Sequence, residues 1–256
     1  HAGRRIQGLS TEVLDTVTFE DDFTSYADTT AGDLAWKTDN TGKVRVNPTT
    51  DVLDWDGSNN ASSTSQTCSH DLGITLSETQ WVLRFKMTLN NFTGGTQAQA
   101  SKFLVGISDL PYTTNNTSAR DFIGFCITTG NGYNFYNAMS GIGAVPVNLA
   151  AFATAPSATT IYVEIIRTGS TTFTSELFSD SNYSTSIEQQ DGNAISSSLN
   201  GLRYLLITNQ AGQITSNGIN NGTMDDFQFY NGVSSLTSKP TNVQVGSRFE
   251  ETDTRK

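Results

Sequence analysis

Apolar and polar residues alternate strictly between positions 81 and 89, and this pattern constrains the fold more than any other feature of the sequence. A period of two is typical of an antiparallel β-strand that buries one face and exposes the other. One face carries Trp81, Leu83, Phe85, Met87 and Leu89, and the opposite face carries Arg84, Lys86 and Thr88. The pattern therefore predicts a half-buried strand.

Further strands are predicted at intervals along the chain, separated by clusters of Gly, Asn and Ser. Helix formers are scarce, and no long stretch repeats apolar residues every three to four positions. The sequence Thr-Gly-Ser at 168–170 predicts a tight hairpin. The predicted strands cover residues 44–46, 102–108, 121–128, 160–167, 171–178, 202–209 and 224–230. Because these strands must bury their apolar faces against each other, we predict an all-β fold, a two-sheet antiparallel β-sandwich of the jelly-roll kind, with a closed barrel as the less favoured alternative.

The net charge of −10 argues against nucleic acid as a partner, because phosphate binding relies on clustered Lys and Arg. A neutral glycan, a protein or a divalent cation suits such a surface better. No run of about 18 apolar residues is present, so we expect no membrane insertion.

Cysteine and histidine are too few for a disulfide framework or a zinc site. Cys126 lies in an apolar run, which favours a buried free thiol, although a bridge to Cys68 is the alternative. The histidines are His1 and His70, and we expect His70 in a polar loop.

Two segments near the ends of the chain resemble the same family. Phe-Glu-Asp-Asp-Phe at 19–23, followed by Leu-Ala-Trp at 34–36, is similar to the opening of concanavalin A-like lectin/glucanase and laminin-G-like domains. Residues 221–232 resemble the closing strand of those domains. The resemblance implies a sandwich over 15–235, flanked by linkers or extended segments at 1–14 and 236–256. Residues 4–10 and the tail from Lys239 resemble connecting segments of marine phage and archaeal metagenome proteins.

The resemblance also raises an enzymatic alternative, because this family includes glycoside hydrolases and polysaccharide lyases. The hydrolases carry Glu-x-Asp-x-x-Glu on one strand, which places three carboxylates on the same face. That pattern is absent, and the acid-rich stretch 51–56 is expected in a loop. The lyase patterns Arg-x-Glu-Leu-Arg, Gln-x-His and Tyr-x-Lys-x-Gly-x-Tyr are also absent, so we assign no catalytic residue and favour a non-catalytic domain.

Carboxylates at both ends of the domain could meet, because the first and last strands of such sandwiches pair. Oxygen ligands suit a hard cation such as Ca²⁺, and the alternation places acids of both ends on one outer surface. We therefore predict a structural calcium site formed by Glu20, Asp22, Asp225 and Asp226. The alternative is that these acids cap turns or face solvent.

Sugar-binding sandwiches present aromatic rings beside polar groups that bond the hydroxyls of the sugar. The segment 129–137 is loop-like and aromatic, whereas Trp36 and Trp81 are expected in the core. Three further polar residues lie on strand faces that could line a groove or could be an ordinary solvated surface. The predicted glycan-binding residues are Tyr133, Asn134, Tyr136, Arg84, Lys86 and Glu164.

These observations favour a non-catalytic carbohydrate-binding or adhesion module of a larger cell-surface or virion protein, located outside the cell. Its expected partners are a polysaccharide or glycan and neighbouring modules of a longer chain. Two alternatives stay open: a polysaccharide lyase or glycoside hydrolase, and a structural protein–protein module of a phage tail.

Overall fold

The computed structural model describes residues 17–38, 44–56, 66–93, 101–111, 120–130, 133–142, 147–152, 160–194, 199–210 and 219–236. In chain order the elements are β1 (Phe19–Asp21), α1 (Thr29–Ala35), β2 (Val44–Asn47), β3 (Val52–Asp56), β4 (Gln66–Asp71), β5 (Trp81–Thr93), β6 (Ser101–Ser108), β7 (Arg120–Gly130), β8 (Tyr133–Ile142), β9 (Val147–Phe152), β10 (Thr160–Arg167), β11 (Thr172–Phe178), β12 (Ser186–Ala194), β13 (Tyr204–Gln210) and β14 (Ile219–Asn231).

The strands form two antiparallel sheets, which confirms the predicted β-sandwich. The first sheet has eight strands in the order β12-β11-β10-β5-β14-β3-β2, with β1 paired to β14 as well. The second sheet has six strands in the order β4-β13-β6-β7-β8-β9. The pairing of β1 with β14 joins the two ends of the domain, with Phe19 opposite Phe229 and Asp21 opposite Phe227.

The hydrophobic core lies between the sheets and is built from the inward faces of their strands. In β5 the predicted apolar face is buried, from Trp81 at 0% exposure to Leu89 at 2%, and Trp36 is also fully buried. On the opposite face Arg84 and Lys86 are partly exposed. The alternation of the sequence therefore matches the division between core and surface.

Several segments differ from the sequence-based expectation. Residues 52–56 form β3, where a loop was expected, and His70 belongs to β4 instead of a polar loop. The aromatic segment expected to be loop-like belongs to the hairpin strands β7 and β8, with Thr129 opposite Asn134. In β3 burial alternates strictly, with Leu53 and Trp55 facing the core, but over only five residues. β4 and β8 lack clean alternation, and their partners in the sheet define them.

The short helix α1 has no counterpart in the predicted elements. The Asp28 side chain caps it by accepting a hydrogen bond from the Ala31 N–H at 2.8 Å. Its Gly32 packs so closely on Val46 that a Cβ atom there would lie 2.4 Å from a Val46 methyl carbon. Seven residues are too few to show a helical period, which explains why the sequence gives no sign of this helix.

A bulge in β14 interrupts its pairing with β5. The register runs from Asp225 opposite Lys86 to Gln228 opposite Arg84, so one extra residue is accommodated between them. Asp226 adopts a φ of 53° there, in the left-handed region. Both aspartates thereby reach the outer side of the sheet, while Phe227 stays fully buried in the core.

Cys68 and Cys126 are both buried, on β4 and β7 of the second sheet, and they are not joined by a disulfide. The alternative of a Cys68–Cys126 bridge is therefore wrong. In the part of the chain described, we find no helix with the length and apolar character needed to span a bilayer.

Candidate functional site

A buried ion pair lies on the outer face of the first sheet, away from the core. The register of β10 and β5 places Glu164 directly opposite Arg84. The Arg84 Nε donates to the Glu164 Oε2 at 2.6 Å, and a second guanidinium nitrogen lies 2.5 Å from the same oxygen. The Glu164 side chain is only 7% exposed and that of Arg84 18%. Burial raises the pKa of Glu164, and the charge of Arg84 counteracts this rise only in part.

Tyr183 covers this ion pair. It lies in the turn between β11 and β12, and the Arg84 guanidinium carbon is 4.2 Å from the centre of its ring. Its ring also makes edge-on contacts with Tyr162 and Phe178, at centroid distances of 5.9 and 5.4 Å. We refer to Arg84, Glu164, Tyr162 and Tyr183 as the Tyr183 site.

The turn that carries Tyr183 is held by the side chain of Asp180. Its Oδ2 accepts a hydrogen bond from the Thr185 N–H at 2.7 Å, and its Oδ1 accepts one from the Asn182 N–H at 3.0 Å. Tyr183 itself has a φ of 54°, which few non-glycine residues adopt. The turn therefore holds the Tyr183 ring over the ion pair in a fixed position.

A second ion pair lies beside the Tyr183 site on the same face. The Lys86 Nζ donates to the Asp225 Oδ2 at 3.0 Å and lies 4.0 Å from an Asp226 oxygen. The hydrogen bond to Asp225 is the main reason that the pKa of Lys86 is raised. Arg84 and Lys86 are thus both neutralised by carboxylates of neighbouring strands.

The structure divides the six predicted glycan-binding residues between the two sheets. Arg84, Lys86 and Glu164 lie together on the first sheet. Tyr133, Asn134 and Tyr136 lie on β8 of the second sheet, and their side chains fall outside the described part of the chain. Tyr162 and Tyr183 were missed by the sequence-based prediction. The parity of β10 could have indicated Tyr162, which shares a face with Glu164, whereas no local pattern marks Tyr183.

A cavity of about 490 Å³ lies at the edge of the sandwich where β1 pairs with β14. We call it the edge cavity. Three of the four predicted calcium ligands line it, namely Glu20, Asp22 and Asp226. Its walls also include Phe19, Asp21, Ser25, Tyr26, His70, Phe227 and Gln228.

The predicted calcium ligands do not form a cage around one point. Asp225 instead pairs with Lys86, and the Asp22 Oδ1 accepts hydrogen bonds from the N–H and hydroxyl of Thr24. Among the described residues, no three His, Cys, Asp or Glu side chains form a group that could hold a metal ion. The described residues therefore do not support the predicted calcium site.

Asp21 serves a structural role at the base of the edge cavity. Its Oδ2 accepts hydrogen bonds from the Tyr26 hydroxyl at 2.5 Å and the Trp36 Nε1 at 2.8 Å, and its Oδ1 accepts one from the Phe23 N–H at 2.8 Å. This carboxylate thereby fixes the turn after β1 against the buried Trp36.

Comparison with known proteins identifies the architecture. The CBM2 module of the evolved Dit of Lactobacillus casei BL23 phage J-1 is 9% identical, with a TM-score of 0.53 over 86% of this chain and 97% of that one. The globular domain of T. cruzi calreticulin is 11% identical, with a TM-score of 0.52 over 85% and 89%. The fold is a jelly-roll β-sandwich.

A family 7 alginate lyase, A1-II', aligns less well, with 7% identity and a TM-score of 0.47 over 75% of this chain and 85% of that one. No family model matches the sequence, and no curated protein matches it. At these identities the similarity to solved structures shows the fold alone.

Proposed function

We propose that the Tyr183 site binds a neutral glycan and that the chain serves as a non-catalytic carbohydrate-binding or adhesion module of a larger cell-surface or virion protein. The observation that carries this proposal is the Glu164 carboxylate, buried under Tyr183 on the outer face of a sheet. A buried charge opposes folding unless it is paired with an opposite charge. Buried carboxylates whose pKa is shifted by burial are common at functional sites.

The chemistry of the Tyr183 site suits a sugar. Tyrosine rings stack on the apolar face of a pyranose, and charged groups form strong hydrogen bonds with its hydroxyls. Arg84 engages only one carboxylate oxygen of Glu164, and among the described residues the other oxygen accepts no hydrogen bond. In the proposed complex, this oxygen would accept a hydrogen bond from a sugar hydroxyl.

The charges on this face favour a neutral glycan over an anionic one. Arg84 and Lys86 are each paired with a carboxylate. Glu176, opposite Glu164 in the register, and the half-exposed Asp226 add negative charge. An acidic polysaccharide would meet like charges here, which disfavours its binding.

The structural comparison supports the proposal at the level of the fold. A CBM2 module of the evolved Dit of phage J-1 has a similar fold, which is consistent with a carbohydrate-binding role for this chain. The extracellular or virion location and the attachment to neighbouring modules are part of the same proposal. Tyr133, Asn134 and Tyr136 of β8 are a second predicted contact area, which variants of these residues would test.

Affinity gel electrophoresis with neutral polysaccharides, and with alginate as the anionic comparison, tests the proposal. We expect retardation by at least one neutral polymer, and Tyr183→Ala should weaken this binding about tenfold, because it removes one stacking ring. Glu164→Gln keeps the shape of the side chain and tests the contribution of its charge.

A matched control is available on the second sheet, where the Arg203 guanidinium lies 5.7 Å from the centre of the Tyr204 ring. Tyr204→Ala removes an arginine-contacting tyrosine away from the site and should leave retardation unchanged. Equal retardation of the Tyr183→Ala and wild-type proteins would overturn the assignment of the site. Release of reducing ends from any polymer would instead favour the hydrolase or lyase alternative, and failure to bind any glycan would favour the structural module.

A further inference from the structure

A row of threonines crosses the first sheet on the same outer face as the Tyr183 site. In the register, Thr88 of β5 lies between Thr160 of β10 and Thr223 of β14. All three residues are partly exposed. Adjacent strands are about 4.8 Å apart, so the three side chains form a short, closely spaced line. We call these three residues the threonine row.

The threonine row is in line with the Tyr183 site along the strands. Thr88 follows Arg84 by four residues on β5, so both side chains lie on the same face. Thr160 precedes Glu164 by the same distance on β10, and Tyr162 lies midway between them. Four residues of a strand span about 13 Å. A continuous surface therefore runs from the ion pair past Tyr162 to the threonine row.

This surface is closed in the opposite direction. Beyond Arg84 and Glu164, the next outward positions are Val82 on β5 and Ile166 on β10. Val82 has no exposed surface, and Tyr230, its neighbour on β14, is only 9% exposed. A chain-like ligand at the Tyr183 site can therefore extend toward the threonine row but not past Val82.

The hydroxyls of the threonine row have unused hydrogen-bonding capacity. The Oγ1 atoms of Thr88 and Thr160 lie 2.9 Å apart, and either of them can be the donor. Whichever hydroxyl donates, the other keeps its hydrogen, and among the described residues no further group accepts it. The Thr223 hydroxyl makes no hydrogen bond within the described part of the chain. These groups can both donate and accept, as the hydroxyls of a sugar do.

The threonine row carries no charge across three adjacent strands, whereas solvent-facing positions commonly carry charged residues that keep a surface soluble. The charges beside it are already engaged. Lys86 pairs with Asp225. Asp54, opposite Thr223 in the register, accepts a hydrogen bond from the Asn47 side-chain amide at 2.8 Å. The surface therefore offers hydroxyls and tyrosine rings to a neutral ligand.

We propose that the glycan site extends from the Tyr183 ring to the threonine row and binds an internal stretch of a linear neutral polysaccharide. The distance of about 13 Å from Arg84 to Thr88 corresponds to a trisaccharide, not to a single sugar. The threonine hydroxyls would bond those of a sugar unit beyond the one on the Tyr183 ring. The extension rests on the proposed glycan binding and adds the length and direction of the ligand, which lies along β5 and β10.

Isothermal titration calorimetry with oligosaccharides of increasing length tests the extended site. The probes are the mono- to hexasaccharides of the neutral polysaccharide that retards the protein in the gel, with laminarin as the first polymer tried. We expect the affinity to rise at least about tenfold from the monosaccharide to the tetrasaccharide and then to level off, because the added units reach the threonine row. Equal affinity for all lengths would overturn the proposal.

Two variants locate the far end of the site. Thr88→Val and Thr223→Val keep a residue that favours strands and remove only the hydroxyl. Each should weaken tetrasaccharide binding about threefold and leave monosaccharide binding unchanged, because one sugar at the Tyr183 ring does not reach the row. The matched control is Thr172→Val, which breaks the 3.0 Å hydrogen bond with Thr168 in the hairpin at the other end of β10 and should bind every probe as the wild type does. Wild-type tetrasaccharide affinity in both row variants would contradict the extension.

Failure of the extended site and failure of glycan binding give different results. If the protein binds no neutral polysaccharide, both proposals are wrong. If a polymer binds and Tyr183→Ala weakens its binding, but the affinity does not depend on oligosaccharide length, the Tyr183 site holds a single sugar and only the extension is wrong.

Discussion

The Arg84 Nε lies 2.6 Å from the Glu164 Oε2, so two adjacent strands of the first sheet share a buried ion pair on the face opposite the core. Because Tyr183 closes over the pair, neither charge is fully hydrated. This relationship underlies the proposed glycan site and two of the four predictions below.

Arg84→Ala should lower the free energy of unfolding by about 2 kcal/mol, because it leaves the Glu164 charge buried without its partner. Urea denaturation followed by tryptophan fluorescence measures this change. The matched control is Arg203→Ala, which removes the largely exposed ion pair with Asp71 and should have a much smaller effect. If both variants lose the same free energy of unfolding, the burial of the Arg84–Glu164 pair does not make it more important to stability than an exposed pair.

Glu164→Gln should change how stability depends on pH. Because burial raises the pKa of Glu164 above its ordinary value of 4.5, the folded state binds its proton more tightly than the unfolded state. The stability that this proton contributes is present below pH 4.5 and is lost as the pH rises through the folded-state pKa. As the pH rises above 4.5, the wild-type protein loses this stability and Glu164→Gln does not. We therefore expect the free energy of unfolding of the variant to rise relative to that of the wild type, as measured by urea denaturation at several pH values. A difference that does not change with pH would show that burial does not raise the pKa of Glu164.

Asp21→Ala should destabilise the protein by about 2 kcal/mol, because it leaves the buried Trp36 Nε1 and the Tyr26 hydroxyl without their shared acceptor. The neighbouring Asp22→Ala is a close control, since Asp22 makes only exposed hydrogen bonds to Thr24. Thermal unfolding of the two variants should differ by several degrees. A similar Tm for both would mean that the Asp21 hydrogen bonds contribute little.

Removal of calcium should leave the protein unchanged. Asp225 is paired with Lys86, and Asp22 bonds Thr24, so these predicted ligands already have protein partners. We expect the Tm to be the same with EDTA and with millimolar CaCl₂, as measured by differential scanning fluorimetry. A rise in Tm with calcium that EDTA reverses would restore the calcium prediction.

Much of the fold could be predicted from local sequence patterns. The alternation in β5 identified the strand and its buried face, because a strand between core and solvent needs a period of two. The similar segments at the two ends indicated the pairing of β1 with β14, which the register of Phe19 with Phe229 confirms. By contrast, α1 is too short for a period, and the alternation of β3 spans only five residues. β4 and β8 lack clean alternation, so their structure depends on their partners.

By itself, the sequence determined the two-sheet architecture and placed Arg84, Lys86 and Glu164 on polar strand faces, because these properties follow from side-chain parity along each strand. Only the tertiary structure decided which side chains meet. The register of β5 against β10 joins Arg84 to Glu164, the turn after β11 brings Tyr183 over them, and the bulge at Asp226 turns both aspartates outward. These contacts join residues up to 139 positions apart, and no local pattern encodes strand register or the path of a turn.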